Sequence, residues 1–276
     1  MLHNKLRKYT CNRVVIARFI AKLLHPTANV DLSLSPPNQV FWNCLVKFGS
    51  SQLVLPAIYG ALKRKKLLKY VPKDLINYLH QITTLNYNRN TDILKQISFL
   101  SEVFNGHQID YVFLKGAAML ITKPYETKSE RMLGDIDILV SKKDLHIAKK
   151  LLINIGFEEV SDEFSFTEDI FSEGYNRHLD RIIHPNFIAA VELHRSLLKK
   201  HNNLLSPEYV LRNKVKTKSG QWVPSKQHLW EHAILNNQYN DYGISRNYLH
   251  FRSVVDILYL DFQVDNIKHK LIPKAI

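Results

Sequence analysis

Arg131-Met132-Leu133-Gly134-Asp135-Ile136-Asp137-Ile138-Leu139-Val140 decides how this chain is read. Two carboxylates stand two residues apart inside an apolar run rich in β-branched side chains. Such a run favours a strand, and on a strand residues i and i+2 point to the same face. Asp135 and Asp137 then project together, while Ile136 and Ile138 enter a core. Two like charges side by side repel unless a cation lies between them. A divalent metal meets that need, and a ligand set of oxygens alone suits Mg²⁺.

Just upstream, Tyr111-Val112-Phe113-Leu114-Lys115-Gly116-Ala117-Ala118-Met119 reads as a short strand, a tight Lys-Gly turn and the small residues that open a helix. Backbone N–H groups at a helix N-terminus offer a phosphate site, to which Lys115 adds a mobile positive charge. Gly116 and Asp135 are 19 positions apart, room for one helix and a return loop. A phosphate cradle followed by a two-carboxylate strand is what nucleotidyl transfer requires. That reaction is an in-line displacement at the α-phosphorus with pyrophosphate leaving, and its catalysis is mostly positioning and charge neutralisation.

Leu114-Lys115-Gly116, Tyr125, Arg131, the run Gly134 to Val140 and Val191-Glu192-Leu193-His194 together resemble the uncharacterised nucleotidyltransferase family of the DNA polymerase β-like superfamily. The likeness runs from roughly residue 40 to residue 260. It implies an α+β fold, a polymerase-β-like nucleotidyltransferase core with a small mixed sheet, flanked by N-terminal and C-terminal helical regions. It also implies a third carboxylate, Glu192, on a later strand. Asp135, Asp137 and Glu192 would be the catalytic and metal-binding residues for Mg²⁺ or Mn²⁺, as two ions. Glu192 would hold the metal that activates the acceptor hydroxyl and would take its proton, directly or through water. Lys115, Gly116, Ala117, Arg131 and Gly134 would bind nucleotide, ATP being one candidate. Gly116-Ala117 departs from the Gly-Ser or Gly-Gly of many superfamily members, which leaves phosphate to backbone amides and Lys115.

Several neighbours have two readings. Arg131 either pairs with the aspartates or touches triphosphate; Tyr125 either packs or meets the substrate. His194, on the face of Glu192, is a site neighbour or a packing histidine. Arg181 stands with Arg177, His178 and His184 on the strand before Glu192, where alternate members face the site. His232, Arg252 and Asp256 resemble recurring family positions, and Arg252 and Asp256 also have the i, i+4 spacing of an intrahelical ion pair.

The 276 residues suffice for one sizeable core with helical appendages. Helical spacing predicts helices over 9–25, over 40–62 with a break near Gly49-Ser50-Ser51, and from Pro72 to Asn105-Gly106. Strands are expected at 111–114, 136–140, 179–184 and 187–193, helices at 117–122 and 142–156, and a turn at Ser219-Gly220. Ser225 is the expected N-cap of a helical stretch reaching Phe262. This gives an N-terminal helical region (1–105), the nucleotidyltransferase core (106–200) and a mostly helical C-terminal region (201–276). No apolar run is long enough for a membrane span. Cys11 and Cys44 lack metal-type spacing and indicate no disulfide framework, so a cytoplasmic location is expected.

Lys and Arg outnumber Asp and Glu by 38 to 25, a net charge of +13. An anionic partner is favoured: a nucleoside triphosphate, and an acceptor among small molecules, proteins and nucleic acids. Lys63-Arg64-Lys65-Lys66 is either a solvated helix end or a nucleic-acid contact. Two rival functions stay open, an inactive nucleotide- or RNA-binding relative and a toxin-like nucleotidyltransferase that modifies tRNA or protein.

Overall fold

A computed structural model describes residues 12–33, 37–160, 177–199, 201, 203–241, 243–246 and 248–260. Three helices come first: α1 (Arg13–Leu24), α2 (Gln39–Ser51) and α3 (Leu55–Arg64). Asn12 and Asn38 cap the first two through side-chain oxygens that accept N–H groups of the first turn. The expected break in the second region falls at 52–54, where Leu53 takes a φ of +55°. Then comes α4 (Lys73–Gly106), 34 residues or about 51 Å.

The α+β core follows: β1 (Tyr111–Phe113), α5 (Lys115–Thr122), β2 (Asp135–Val140), α6 (Leu145–Asn154), β3 (Glu158–Glu159), β4 (Ile182–Ile183) and β5 (Ala190–His194). Its sheet has the order β1-β2-β5-β4-β3. The β2–β5 pair is parallel and all other pairs are antiparallel, so the sheet is mixed. After it come α7 (Pro207–Arg212), a hairpin of β6 (Val215–Lys216) and β7 (Trp222–Val223), and α8 (Lys226–Leu235). Gly220 turns that hairpin with φ +91°, and Ser225 caps α8 as expected. The stretch to Phe262 is not one helix. A π turn at Asn236–Asn240 ends α8, α9 (Gly243–Arg246) is a single turn, and α10 (Phe251–Tyr259) starts afresh. The residues from 261 lie outside the described ones.

Alternation along β2 divides the molecule. Ile136, Ile138 and Val140 join Tyr111, Phe113, Val191 and Leu193 in a core closed by Ile93, Ile97, Leu100 and Phe104 of α4 and by α6. Leu139, on the opposite face, packs with Val112, Leu114, Leu197, Leu198 and Leu235. A third cluster joins α1, α2, α3 and the start of α4 to Met119, Leu229 and Val255. Burying one leucine-sized side chain is worth roughly 1.5–3 kcal/mol, so each face of β2 is strongly held.

The basic cluster after α3 is half used in packing. Arg64 pairs with Glu126 at 2.7 Å and Glu130 at 2.6 Å, and Lys65 donates to the carbonyl of His25 at 3.1 Å. Cys44 is buried and disulfide-bonded, against the expectation from composition; Cys11 lies outside the described residues. Among the described residues, no helix is long and apolar enough to cross a membrane.

Candidate active site

The parallel register of β2 and β5 sets Asp137 opposite Glu192. Asp135, Asp137, Glu192 and His194 therefore share the sheet face away from α4. One ligand atom from each of Asp137, Glu192 and His194 lies within 4.8 Å of the other two. His194 Nε2 is 2.8 Å from Asp137 Oδ1 and 3.5 Å from Glu192 Oε2. Arg181 spans the remaining carboxylates, with one guanidinium nitrogen 2.9 Å from Glu192 and 3.5 Å from Asp135.

Lys115 enters from the opposite side. The Leu114 N–H donates to the Asp137 carbonyl at 2.8 Å, fastening the end of β1 to β2. The next residue, Lys115, then places its ammonium on the Asp137 carboxylate. Lys115 itself takes the left-handed conformation, φ +45°, uncommon for a residue with a side chain and concentrated at functional sites. The expected Lys-Gly turn is thus made by the lysine, and α5 begins at position 115 rather than 117. Gly116 serves a different need: a Cβ there would stand 2.8 Å from the Leu133 Cβ. Ala117 is wholly buried in the core behind the site.

Charge is finely set within the cluster. Burial favours the neutral form of Asp137, but Lys115 and the hydrogen bond from His194 outweigh it, holding the carboxyl far below the ordinary range. Burial also raises Glu192, yet His194 and Arg181 bring it down to about 2. Asp135 is held above its ordinary value, first by burial and then by repulsion from Asp137 and Glu192. Three carboxylates against Lys115 and Arg181 leave repulsion unrelieved at Asp135. Oxygen donors on one face, two of them firmly ionised, with an imidazole beside them, fit a divalent cation.

Arg131 is placed apart from these carboxylates. Its side chain is buried and forms a bidentate pair with Asp256 of α10, Nε to Oδ1 at 2.7 Å and Nη2 to Oδ2 at 2.8 Å. Tyr125 donates to the same carboxylate and stacks on Tyr259 at 4.7 Å. The Arg252–Asp256 pair suggested by spacing does not form, since Asp256 is committed to Arg131 and Tyr125. Gly134 is exposed, and its carbonyl accepts from Arg89 at 3.3 Å.

Sequence reasoning passed over the clamp that holds this loop. Asn86 and Asn90 of α4 are buried, and their side-chain amides donate to the Ser129 and Arg131 carbonyls at 2.6 and 2.8 Å. The signal was present: two asparagines at i, i+4 on the buried face of a long helix are costly unless they bond something. The clamp sets the path of residues 128–131 into β2, and so the position of Asp135.

A comparison with curated proteins returns no match. Residues 38–266 match the sequence pattern described as uncharacterised nucleotidyltransferase. That span contains Lys115, the Asp135–Asp137 strand, Glu192 and α10, and the chain belongs to the uncharacterised nucleotidyltransferase family.

Proposed function

We propose that this protein is a divalent-cation-dependent nucleotidyltransferase that moves a nucleoside monophosphate from a nucleoside triphosphate to a hydroxyl or phosphate acceptor. Family membership supports the reaction class. The observation that carries the reading further is the meeting of Asp135, Asp137 and Glu192 on one face, with Lys115 at its edge. Asp135, Asp137 and Glu192 would hold Mg²⁺ or Mn²⁺, as two ions. Such ions supply Lewis-acid neutralisation of the triphosphate and of the attacking and leaving oxygens.

The chain's own groups do the rest. Lys115 offers an ammonium that can turn from Asp137 to a phosphate oxygen, a point charge suited to that partner. His194, buried between Asp137 and Glu192, fixes the orientation of both carboxylates. Glu192, with a pKa of about 2, is a weak proton acceptor near neutrality and is better suited to ligation. Arg181, half exposed on Glu192 and Asp135, balances their charge and stands where it can meet an anionic substrate. Arg131 and Tyr125 act at one remove, by fixing the loop that enters β2.

The test is incubation with each labelled triphosphate, Mg²⁺ or Mn²⁺ and a cell lysate, comparing wild type with Asp137→Asn. An amide keeps the volume but not the charge. Label uptake is expected to need metal and to fall in the variant by more than the roughly 100-fold that an outer-shell loss costs. Undiminished transfer by Asp137→Asn, or transfer in the presence of chelator, would overturn the reading.

A further inference from the structure

Behind Lys115 lies a small cavity between α5, α8 and α10. It is lined in part by Lys115, His232, Asn236, Asp241, Arg252 and Ser253 and has a volume of about 50 Å³. A site holding one water needs roughly 10–15 Å³ on that measure, so the space exceeds one water several-fold and has room for phosphate oxygens.

Two features of its wall lack hydrogen-bond partners among the described residues. Arg252 is half-buried and makes no hydrogen bond or ion pair with any described residue. A guanidinium stays charged in any protein setting, and burying one without a counter-ion is costly. His232 is 3% exposed, and its Nε2 is buried without a hydrogen-bond partner. Carboxylates act on Arg252 from a distance, but none among the described residues bonds to it: Asp256, also in the wall, is taken by Arg131, Asp241 accepts from the Asn236 amide at 2.9 Å, and Asp135 belongs to the carboxylate cluster. An unpaired planar cation, an unpaired ring nitrogen and the lysine that reaches Asp137 thus converge on one void.

The geometry points to a phosphoryl-binding subsite, in which Arg252, His232 and Lys115 hold the terminal phosphates of the triphosphate, the part that leaves as pyrophosphate. This rests on the proposed transfer reaction and names where its leaving group sits. Lys115 makes the link, since a single side chain both contacts the carboxylate cluster and lines the cavity. A phosphorylated acceptor would present the same chemistry, so the test must separate the two sources.

Wild type, Arg252→Gln and His232→Asn are titrated calorimetrically in Mg²⁺ with inorganic pyrophosphate, a triphosphate analogue uncleavable between the α- and β-phosphates, and a nucleoside monophosphate. Melting temperatures are measured alongside. Loss of a charge-assisted contact is expected to weaken pyrophosphate and analogue by about 10–100-fold in Arg252→Gln. Monophosphate affinity should change less than about threefold by the same contact reasoning, because its phosphate lies outside the subsite. Arg252→Gln should melt no lower than wild type, because it removes a partly buried cation that no described carboxylate bonds, a result that a purely structural arginine would not give. Arg252→Lys should recover part of the affinity and serves if the glutamine variant fails to fold. Unchanged pyrophosphate affinity in Arg252→Gln overturns the subsite, as does equal weakening of all three ligands. Arg252-dependent pyrophosphate binding in a protein that transfers no label would retain the subsite and reject the transfer reaction.

Discussion

Replacing Asp256 by Asn separates structural from chemical roles around the site. Asp256 and Arg131 have side chains 7% and 6% exposed and share two hydrogen bonds of 2.7 and 2.8 Å. Removing one member of such a buried pair leaves the other charge without compensation, at a cost of about 3–5 kcal/mol. Tyr125 loses its anionic acceptor in the same step, though that term is not additive. Total stability of a domain is about 5–15 kcal/mol, so the variant forfeits a large share of it. At about 2–4 °C per kcal/mol for large domains, the midpoint should fall by roughly 6–20 °C. Urea unfolding followed by circular dichroism, with a thermal scan beside it, measures both. The double variant Arg131→Met, Asp256→Leu should regain more than half of the loss, since a well-packed apolar pair replaces a buried ion pair at little cost. A loss below about 1 kcal/mol, the range of exposed pairs, would refute the burial argument and return Arg131 to the pool of phosphate ligands.

Two further outcomes follow from the same region. His232, ordinarily near 6.5, is lowered to about 3 by burial first and then by Lys115 and His194. The unfolded chain takes up that proton as pH falls below 6.5 while the fold does not, so stability is full above 6.5 and declines toward 3. Between pH 7.5 and 5.5 His232 should cost about 1 kcal/mol; urea titrations showing the same pH dependence in His232→Asn would contradict this. Gly116→Ala drives a methyl to 2.8 Å from Leu133 Cβ and should cost about 1–3 kcal/mol through overpacking. Because Leu133 lies two residues before Asp135, the proposed transfer activity should fall as well, and a variant as stable and active as wild type would show that the loop yields freely.

What could be read from the sequence was local. The period of two over 135–140 placed Asp135 and Asp137 on one face, and the Val-Glu-Leu-His alternation put Glu192 and His194 together on the next strand. Both follow from the sterics of neighbouring residues. Arg131 and Asp256 are 125 positions apart, and nothing in either segment says that they meet. The left-handed Lys115 was hidden because the following glycine offered an easier bend. Only the tight contact with Leu133 shows why Gly116 is needed inside the helix instead. The C-terminal helices were merged because their apolar spacing continues across 236–250, whereas the π turn there follows from Asn236 and Asn240 bonding side chains and carbonyls elsewhere.

The alternation of β2 ties the site to the scaffold through the reading frame. Deleting or inserting a single residue within 135–140 would exchange the two sides of the strand, sending Ile136 and Ile138 toward Glu192 and His194, and the aspartates into grease. Length changes in the loop before the strand carry no such inversion. Substitutions in this segment should accordingly be tolerated far better than frame slips, and a two-residue shift should harm less than a shift of one.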